Sequence, residues 1–286
     1  MSILDLCLRH CPEDGIFETA VPGLMLARSV RPHNTVCALT RPGLGIVLQG
    51  RKDVFLGERR WSYGPSEYLM VSADLPLNSH AVTASVEHPY VGLAVALEPM
   101  EVVEVANQAG LTLSESPSEP PALTVQSLDR DLEEAVHRLA RLLERPKDAA
   151  VLAPLIYREL IYLLLQSSTA PVLHRLGLGE SRSVALRAIR WLRENFSRPM
   201  RVENLAEELS VSASTLHHQF KSLTSTSPIQ YQKLLRLQEA RRLIQGGALG
   251  AADAAFEVGY ASPAQFSREY KRLFGAPPSQ DRLVAR

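Results

Sequence analysis

The chain has 286 residues, 45% hydrophobic and 22% charged, with 31 basic and 31 acidic side chains cancelling to zero net charge. That length accommodates two domains, and that apolar share supports packed cores and excludes a largely disordered polyelectrolyte. Three cysteines (Cys7, Cys11, Cys37) are too few, and odd in number, for a disulfide framework, so a reducing cytoplasm is expected.

The zero hides an asymmetry. Residues 1–179 carry 15 Lys/Arg against 21 Asp/Glu, whereas residues 180–286 carry 16 against 10. A basic C-terminal part suits a phosphate-binding surface, and an acidic partner domain does not compete for the polyanion.

Ile3, Leu6 and Cys7 recur at helical spacing, so 3–11 is expected to form an amphipathic helix. Asp5 and Arg9 interrupt its apolar part and no basic leader precedes it, unlike a secretory signal. Residues 15–30 shift to a strand-like pattern broken by the Pro22-Gly23 turn signal. Short segments at 44–49, 52–56 and 59–63 follow, punctuated by Gly50, Gly57 and Gly64-Pro65 at hairpin spacing. Segments 67–72, 81–86 and 90–97 continue the series, with Pro76 and Pro89 in the connections. Six or more short strands predict a small antiparallel barrel or sandwich.

The period then changes. Val102, Val103, Ala106 and Ala109 predict a helix closed by Gly110, and 114–121 reads as a polar, proline-rich loop. Leu128, Leu132, Val136, Leu139 and Leu143 predict a helix ended by Pro146. Pro154 is expected in the opening turn of a second helix carrying Leu155, Ile156, Leu160, Ile161 and Leu164. The densest apolar run, 160–165, is far too short to span a bilayer, so no membrane partner is expected. Residues 167–183, rich in small residues and glycine, are expected as an interdomain linker.

From Val184 the pattern is helical to the end. Val202, Leu205, Ala206 and Leu209 share one face, and Ser212 caps a helix with Leu216, Phe220 and Leu223 inward. Pro228 opens a long helix to Ile244, a rod fit to fix the spacing of what flanks it. The stretch 251–275 repeats the theme. A short apolar-faced helix (Ala252, Ala255, Val258) ends at Gly259, where glycine enters the left-handed region cheaply. Ser262 and Pro263 start a second helix burying Phe266, Tyr270, Leu273 and Phe274, and Gly275 ends it. Helix, turn, capped helix, twice over, is the helix-turn-helix pattern. The polar sides, with Ser214, His217, His218 and Lys221 in one copy and Gln265, Ser267, Arg268, Lys271 and Arg272 in the other, suit base edges and phosphates.

These residues resemble the AraC/XylS family of bacterial transcription regulators. The signature is ARRLI (240–244), AADAAFEVGY (251–260) and SPAQFSREYKRLFGAPP (262–278), with LHHQFKSLTSTSPIQY (216–231) in the first copy. Three positions depart from the pattern. Ser225 stands where glycine is usual, so its helix is expected to end less sharply; His218 stands where arginine is frequent; Asp281 replaces a common aromatic. VLQGRKDVFLG (47–57), YLMVSADLP (68–76) and PLIYRELIYLLL (154–165) resemble the cupin-like barrel that precedes such units in one subfamily.

The resemblance implies an α+β protein: a cupin-like antiparallel barrel with a helical hairpin over 1–166, a linker over 167–183, and an all-α DNA-binding domain with two helix-turn-helix units over 184–286. Its partners would be double-stranded DNA, RNA polymerase, a small-molecule effector in the barrel and a second protomer. The helical hairpin either pairs protomers or only closes the barrel. DNA contacts are expected from Ser214, His217, His218 and Lys221, and from Pro263, Ala264, Gln265, Ser267, Arg268 and Lys271. Phe55, Trp61, Tyr63 and Tyr68 are the effector-lining candidates, although strand alternation turns half of them elsewhere without deciding which.

A barrel of this kind can also house a metal, which would make the chain an enzyme fused to a DNA-binding module. His10, His33, His80, His88 and Glu87 lack the His-x-His spacing such a site needs, and Cys7-x-x-x-Cys11 with His10 has no second pair to complete a tetrahedral zinc site. No nucleophile elbow, phosphate loop or dinucleotide fingerprint occurs. A non-enzymatic regulator without cofactor or metal is expected; a ligand-independent dimeric regulator is the remaining alternative.

Overall fold

A computed structural model of the chain describes residues 2–113 and 121–281, and the side chains at 33–37 and 178–182 lie outside the described set. The expected polar loop at 114–121, and the side chains of His33 and Cys37, therefore fall almost wholly outside it. The chain divides into two compact units with the break along the sequence at Ser183; the segments Val36–Leu39 and Leu75–Asn78 group with the second.

The first unit opens with helix α1 (Ile3–His10), capped by a reciprocal Ser2–Asp5 box that also holds the Asp5 carboxyl below its ordinary pKa. Strands β1 (Gly15–Glu18), β2 (Leu24–Ser29), β3 (His33–Thr40), β4 (Gly43–Gln49), β5 (Arg51–Leu56), β6 (Arg59–Tyr63), β7 (Glu67–Val71), β8 (Leu75–Thr83), β9 (Tyr90–Ala96) and, after helix α2 (Pro99–Gln108), β10 (Leu123–Ser127) follow. They form two sheets rather than one closed barrel: six strands in the order β1-β2-β9-β4-β7-β10 and four in the order β3-β8-β5-β6. The chain crosses between the two sheets six times, and the crossings at Gly50 (φ +86°) and around Ser66 (φ 66°) pass through left-handed residues. β3 and β10 have no counterpart in the sequence reading, and β8 runs through Pro76, which the pattern puts in a connection.

Alternation fixes the faces of the six-stranded sheet. Leu24, Leu26, Leu44, Ile46, Tyr68, Met70, Val91, Leu93 and Val95 point to one side and share a core with helices α1 and α2, α3 (Arg130–Arg141), α4 (Pro146–Leu165) and α5 (Ala170–Arg182). Two expectations are corrected here. Helix α4 begins at Pro146, and Pro154 lies inside it, not in its opening turn. Most of the supposed linker is helix α5, whose Val172, Leu173 and Leu176 are buried in this core; its glycines disguise an apolar face that pays for helix formation.

The second unit contains helices α6 (Val184–Asn195), α7 (Val202–Glu208), α8 (Ala213–Thr224), α9 (Pro228–Gln245), α10 (Ala251–Glu257) and α11 (Pro263–Phe274). Tyr231 near the start of α9 meets Phe220 of α8 edge-on at 5.3 Å between ring centroids. Further along α9, Leu237, Ala240 and Ile244 join Ala254, Ala255, Val258, Phe266 and Tyr270. Ala252, expected inside, is exposed, and Ala254 takes its place beside Ala255. One rod thus serves two small cores.

Gly259, after α10, has φ +89°, and a Cβ there would lie 2.0 Å from the Ser197 carbonyl oxygen. Gly275 has φ +81° but nothing within 4 Å. Gly275→Ala is therefore expected to cost about 1 kcal/mol from backbone conformation alone, and Gly259→Ala at least about 3 kcal/mol because the clash is with backbone. Urea titration of the full chain, read at Trp191, checks the order; equal losses would contradict the close approach.

Candidate nucleic-acid interface

Both second helices begin the same way. The Ser212 hydroxyl accepts from the Thr215 N–H at 3.1 Å and the Ser262 hydroxyl accepts from the Gln265 N–H at 3.3 Å. Leu209 and Val258 close the first helices with matching bonds to Leu205 and Ala254. The copies stay in step as far as Val211 and Tyr260, after which Ala261 adds one residue to the second copy. At the turns the second copy uses Gly259 and Gly275; the first uses Ser210 (φ 58°) and Ser225 (φ 56°). Ser225 thus ends its helix as sharply as glycine would, donating its N–H to the Lys221 carbonyl at 2.8 Å just as Gly275 does to Lys271 at 2.9 Å. The expected blunter end is not found: serine itself takes the left-handed conformation here.

With Leu216, Phe220 and Leu223 buried, the opposite side of α8 is forced outward. Ser214, His217, His218 and Lys221 are exposed and line one open depression together with Ser222. Ser222 escaped the sequence reading, although it lies one turn beyond His218. On α11, Ala264, Gln265, Arg268 and Lys271 are exposed, while Pro263 and Ser267 are half-buried. Gln265 is not wholly free: its Nε2 donates to Glu269 at 3.2 Å, and Glu269 also accepts from the Tyr260 hydroxyl at 2.8 Å.

Arg236 of α9 holds the second unit together from the middle. Its guanidinium donates to the carbonyls of Phe196 (2.6 Å), Arg198 (2.9 Å), Gly259 (3.0 Å) and Ser197 (3.3 Å), and it lies 5.9 Å from the Tyr260 ring centroid. Gln232, one turn earlier, donates to Phe196 and Arg198. The end of α6 and the turn before α11 are thereby fastened to one rod. At the far end Asp281 accepts from Tyr270 at 2.8 Å and pairs with Arg241 at 2.8 Å. The carboxylate that replaces an aromatic is thus a polar clasp on α9 and α11.

In the first unit the effector candidates part company. Trp61 and Tyr63 share a face of β6, opposite Val54 and Lys52. Phe55 is on the other face, its ring 4.9 Å from that of His80 between centroids and tilted 45° to it. Tyr68 turns into the helical core, and its hydroxyl bonds to Thr169. Among the described residues no three His, Cys, Asp or Glu side chains gather as metal ligands. Burial raises the thiols of Cys7 and Cys11 to about 12 and about 11, which makes them inert core groups.

Residues 20–172 match the family described as AraC-type transcriptional regulator N-terminus, and residues 205–283 match a helix-turn-helix domain. The chain belongs to the AraC family of transcriptional regulators. It is similar to the thermoregulatory protein LcrF of Yersinia pestis, 26% identical over 262 residues that cover 89% of this chain and 94% of LcrF. It is also similar to the HTH-type transcriptional activator RhaS of Escherichia coli O139:H28, 30% identical over 124 residues, 43% of each chain. In fold it resembles ToxT of Vibrio cholerae strain SCE256, solved with unsaturated fatty acid bound, with a TM-score of 0.67 at 10% identity over 94% of this chain and 95% of that one. An AraC-family chain with this domain is a DNA-binding transcription regulator. No helix among the described residues is long and apolar enough to cross a membrane.

If Arg236 is the fastening, Arg236→Ala leaves four carbonyls short of a charged donor. The loss is expected at about 3 kcal/mol, since hydrogen bonds to charged groups contribute about 1.5–3 kcal/mol each and do not add fully. Arg236→Lys cannot span the same carbonyls and should recover only part of it. A lysine variant as stable as the parent in urea would contradict the assignment.

Proposed function

We propose that α8 and α11 enter successive major grooves on one side of a duplex, about 34 Å apart, with α9 setting the interval. The duplicated, capped helices with exposed polar faces carry this reading. Ser214, His217, His218, Lys221 and Ser222 contact DNA from the first copy, and Pro263, Ala264, Gln265, Ser267, Arg268 and Lys271 from the second. Gln265, with one amide hydrogen engaged by Glu269, keeps its oxygen and a second hydrogen for an adenine edge; Arg268 takes guanine or phosphate. Since one chain holds two unlike readers, it recognises an asymmetric site without palindromy.

The first unit receives a small-molecule effector and mediates dimerisation, and the protein works with RNA polymerase in the cytoplasm as a regulator, not an enzyme. The fatty acid held by ToxT supports the effector role. The dimer is supported by α4, which exposes Val151 (69%), Leu155 (60%) and Tyr162 (45%) along one stripe.

Two variants check these assignments. On a duplex selected from a random pool, Arg268→Ala is expected to cost about 1–3 kcal/mol and relax preference at one base pair. A uniform loss across all sequences would make Arg268 a phosphate contact. Leu155→Glu is expected to give monomers in sedimentation with thermal stability retained; an unchanged association state would remove α4 from the dimer interface.

A further inference from the structure

Gln265 lies three residues after the capping Ser262, so SPAQ (262–265) has the sequence of a capping box. In a closed box the Gln265 side chain would turn back to the Ser262 N–H and spend its oxygen there. Helix α1 closes such a box between Ser2 and Asp5. Helix α11 makes only one side of it. The Ser262 hydroxyl accepts from the Gln265 N–H, but the Gln265 side chain runs forward along the helix, its Nε2 donating to Glu269 at 3.2 Å.

Glu269 is itself anchored, since its other oxygen accepts from the Tyr260 hydroxyl at 2.8 Å. Tyr260 is buried; its ring meets Phe266 edge-on at 5.3 Å and lies 5.9 Å from the Arg236 guanidinium. Burial, and then the bond to Glu269, push the Tyr260 phenol well above its ordinary pKa, so it stays a donor at any physiological pH. A carboxylate held in this way can only accept. It therefore draws the amide nitrogen of Gln265 toward itself and leaves the oxygen and the second hydrogen on the outward side. The first copy has Val211, Thr215 and Gln219 at the corresponding positions, so α8 has no carboxylate to do this.

We propose that Tyr260 and Glu269 are a positioning pair for base recognition: they hold the Gln265 amide in one of its two orientations and so set α11 to prefer adenine over guanine at one base pair. Adenine offers a donor at N6 and an acceptor at N7, which the fixed amide matches; guanine offers acceptors at both places, and its O6 would face the amide oxygen. A free amide can turn over and donate to that O6 instead. The carboxylate also repels phosphates, a cost in affinity that every sequence shares. This role rests on the reading above that α11 meets the groove through Gln265.

The test is binding of the full chain to a duplex selected from a random pool and to its single-pair variants, with the pair concerned located by Gln265→Ala. The parent should favour A·T over G·C there by about tenfold or more. Glu269→Gln and Tyr260→Phe, both close in shape to the parent side chains, should narrow this to within about threefold. Glu269→Gln, having lost a negative charge, should bind an unrelated duplex at least as well as the parent. A purely structural role would weaken binding to every duplex by one factor; that result, or the preference kept in either variant, would overturn the pair. Gln265→Ala separates the two ideas. Preference unchanged at every position in that variant would remove Gln265 as a reader, and the pair's role with it. Preference lost in Gln265→Ala but kept in Glu269→Gln would leave the groove reading standing and remove the pair alone. On a Gln265→Ala background Glu269→Gln should alter no preference further; an alteration would make Glu269 a base contact and overturn its positioning role.

Discussion

The DNA-binding domain depends on a fixed spacing, and Arg236 enforces it. A helix-turn-helix pair is too small to bury a large core, so its orientation on a neighbouring pair has to come from elsewhere. Here one guanidinium gathers carbonyls from the end of α6 and from the Gly259 turn, groups that helix termini leave without partners. The planar fork of arginine matches several acceptors at once, and its charge persists at any physiological pH. Gly259 is the other half of this constraint, because only a residue without a side chain lets the turn approach Ser197 so closely. Apolar contacts along α9 add stability, but directional bonds to backbone are what define one geometry.

The two copies carry the same architecture with different chemistry. The first presents hydroxyls, two imidazoles and one ammonium; the second presents an amide, a guanidinium and further cations, with Glu269 held back by Tyr260 and Gln265. Duplication thus preserved the buried pattern, Leu216 and Phe220 in one, Phe266 and Tyr270 in the other, while the exposed positions diverged. The first copy also tolerates serine in two left-handed turns. That conformation is unfavourable for any residue with a Cβ, so other interactions of the folded domain must offset it.

In the N-terminal unit the decisive constraint is alternation. One face of the six-stranded sheet packs on five helices, so its partner face is free of that duty. Tyr68 and Tyr63 are five residues apart and both deeply buried, yet one completes the helical core and the other reaches Gly45. Tyr63 lies on β6 of the four-stranded sheet and Tyr68 on β7 of the six-stranded one, so the change of sheet between them gives them different neighbours.

The sequence by itself determined the duplicated helices, their capping serines, the glycine turns and the outward residues of α8 and α11. These are local matters: a cap, a left-handed glycine and an apolar period each act within a few residues. The charge asymmetry and the family likeness were legible for the same reason, since they are properties of the chain's own order. Tertiary structure decided the rest. That Arg236 faces four carbonyls and that Asp281 joins Arg241 depend on segments tens of residues away, whereas the left-handed turn at Ser225 is local but runs against serine's own preference. The separation of the strands into two sheets, the helical nature of α5 and the parting of Trp61 and Tyr63 from Phe55 and Tyr68 were likewise closed to local pattern. Pairing register and shared burial are set by neighbours in space, and no window of sequence contains them.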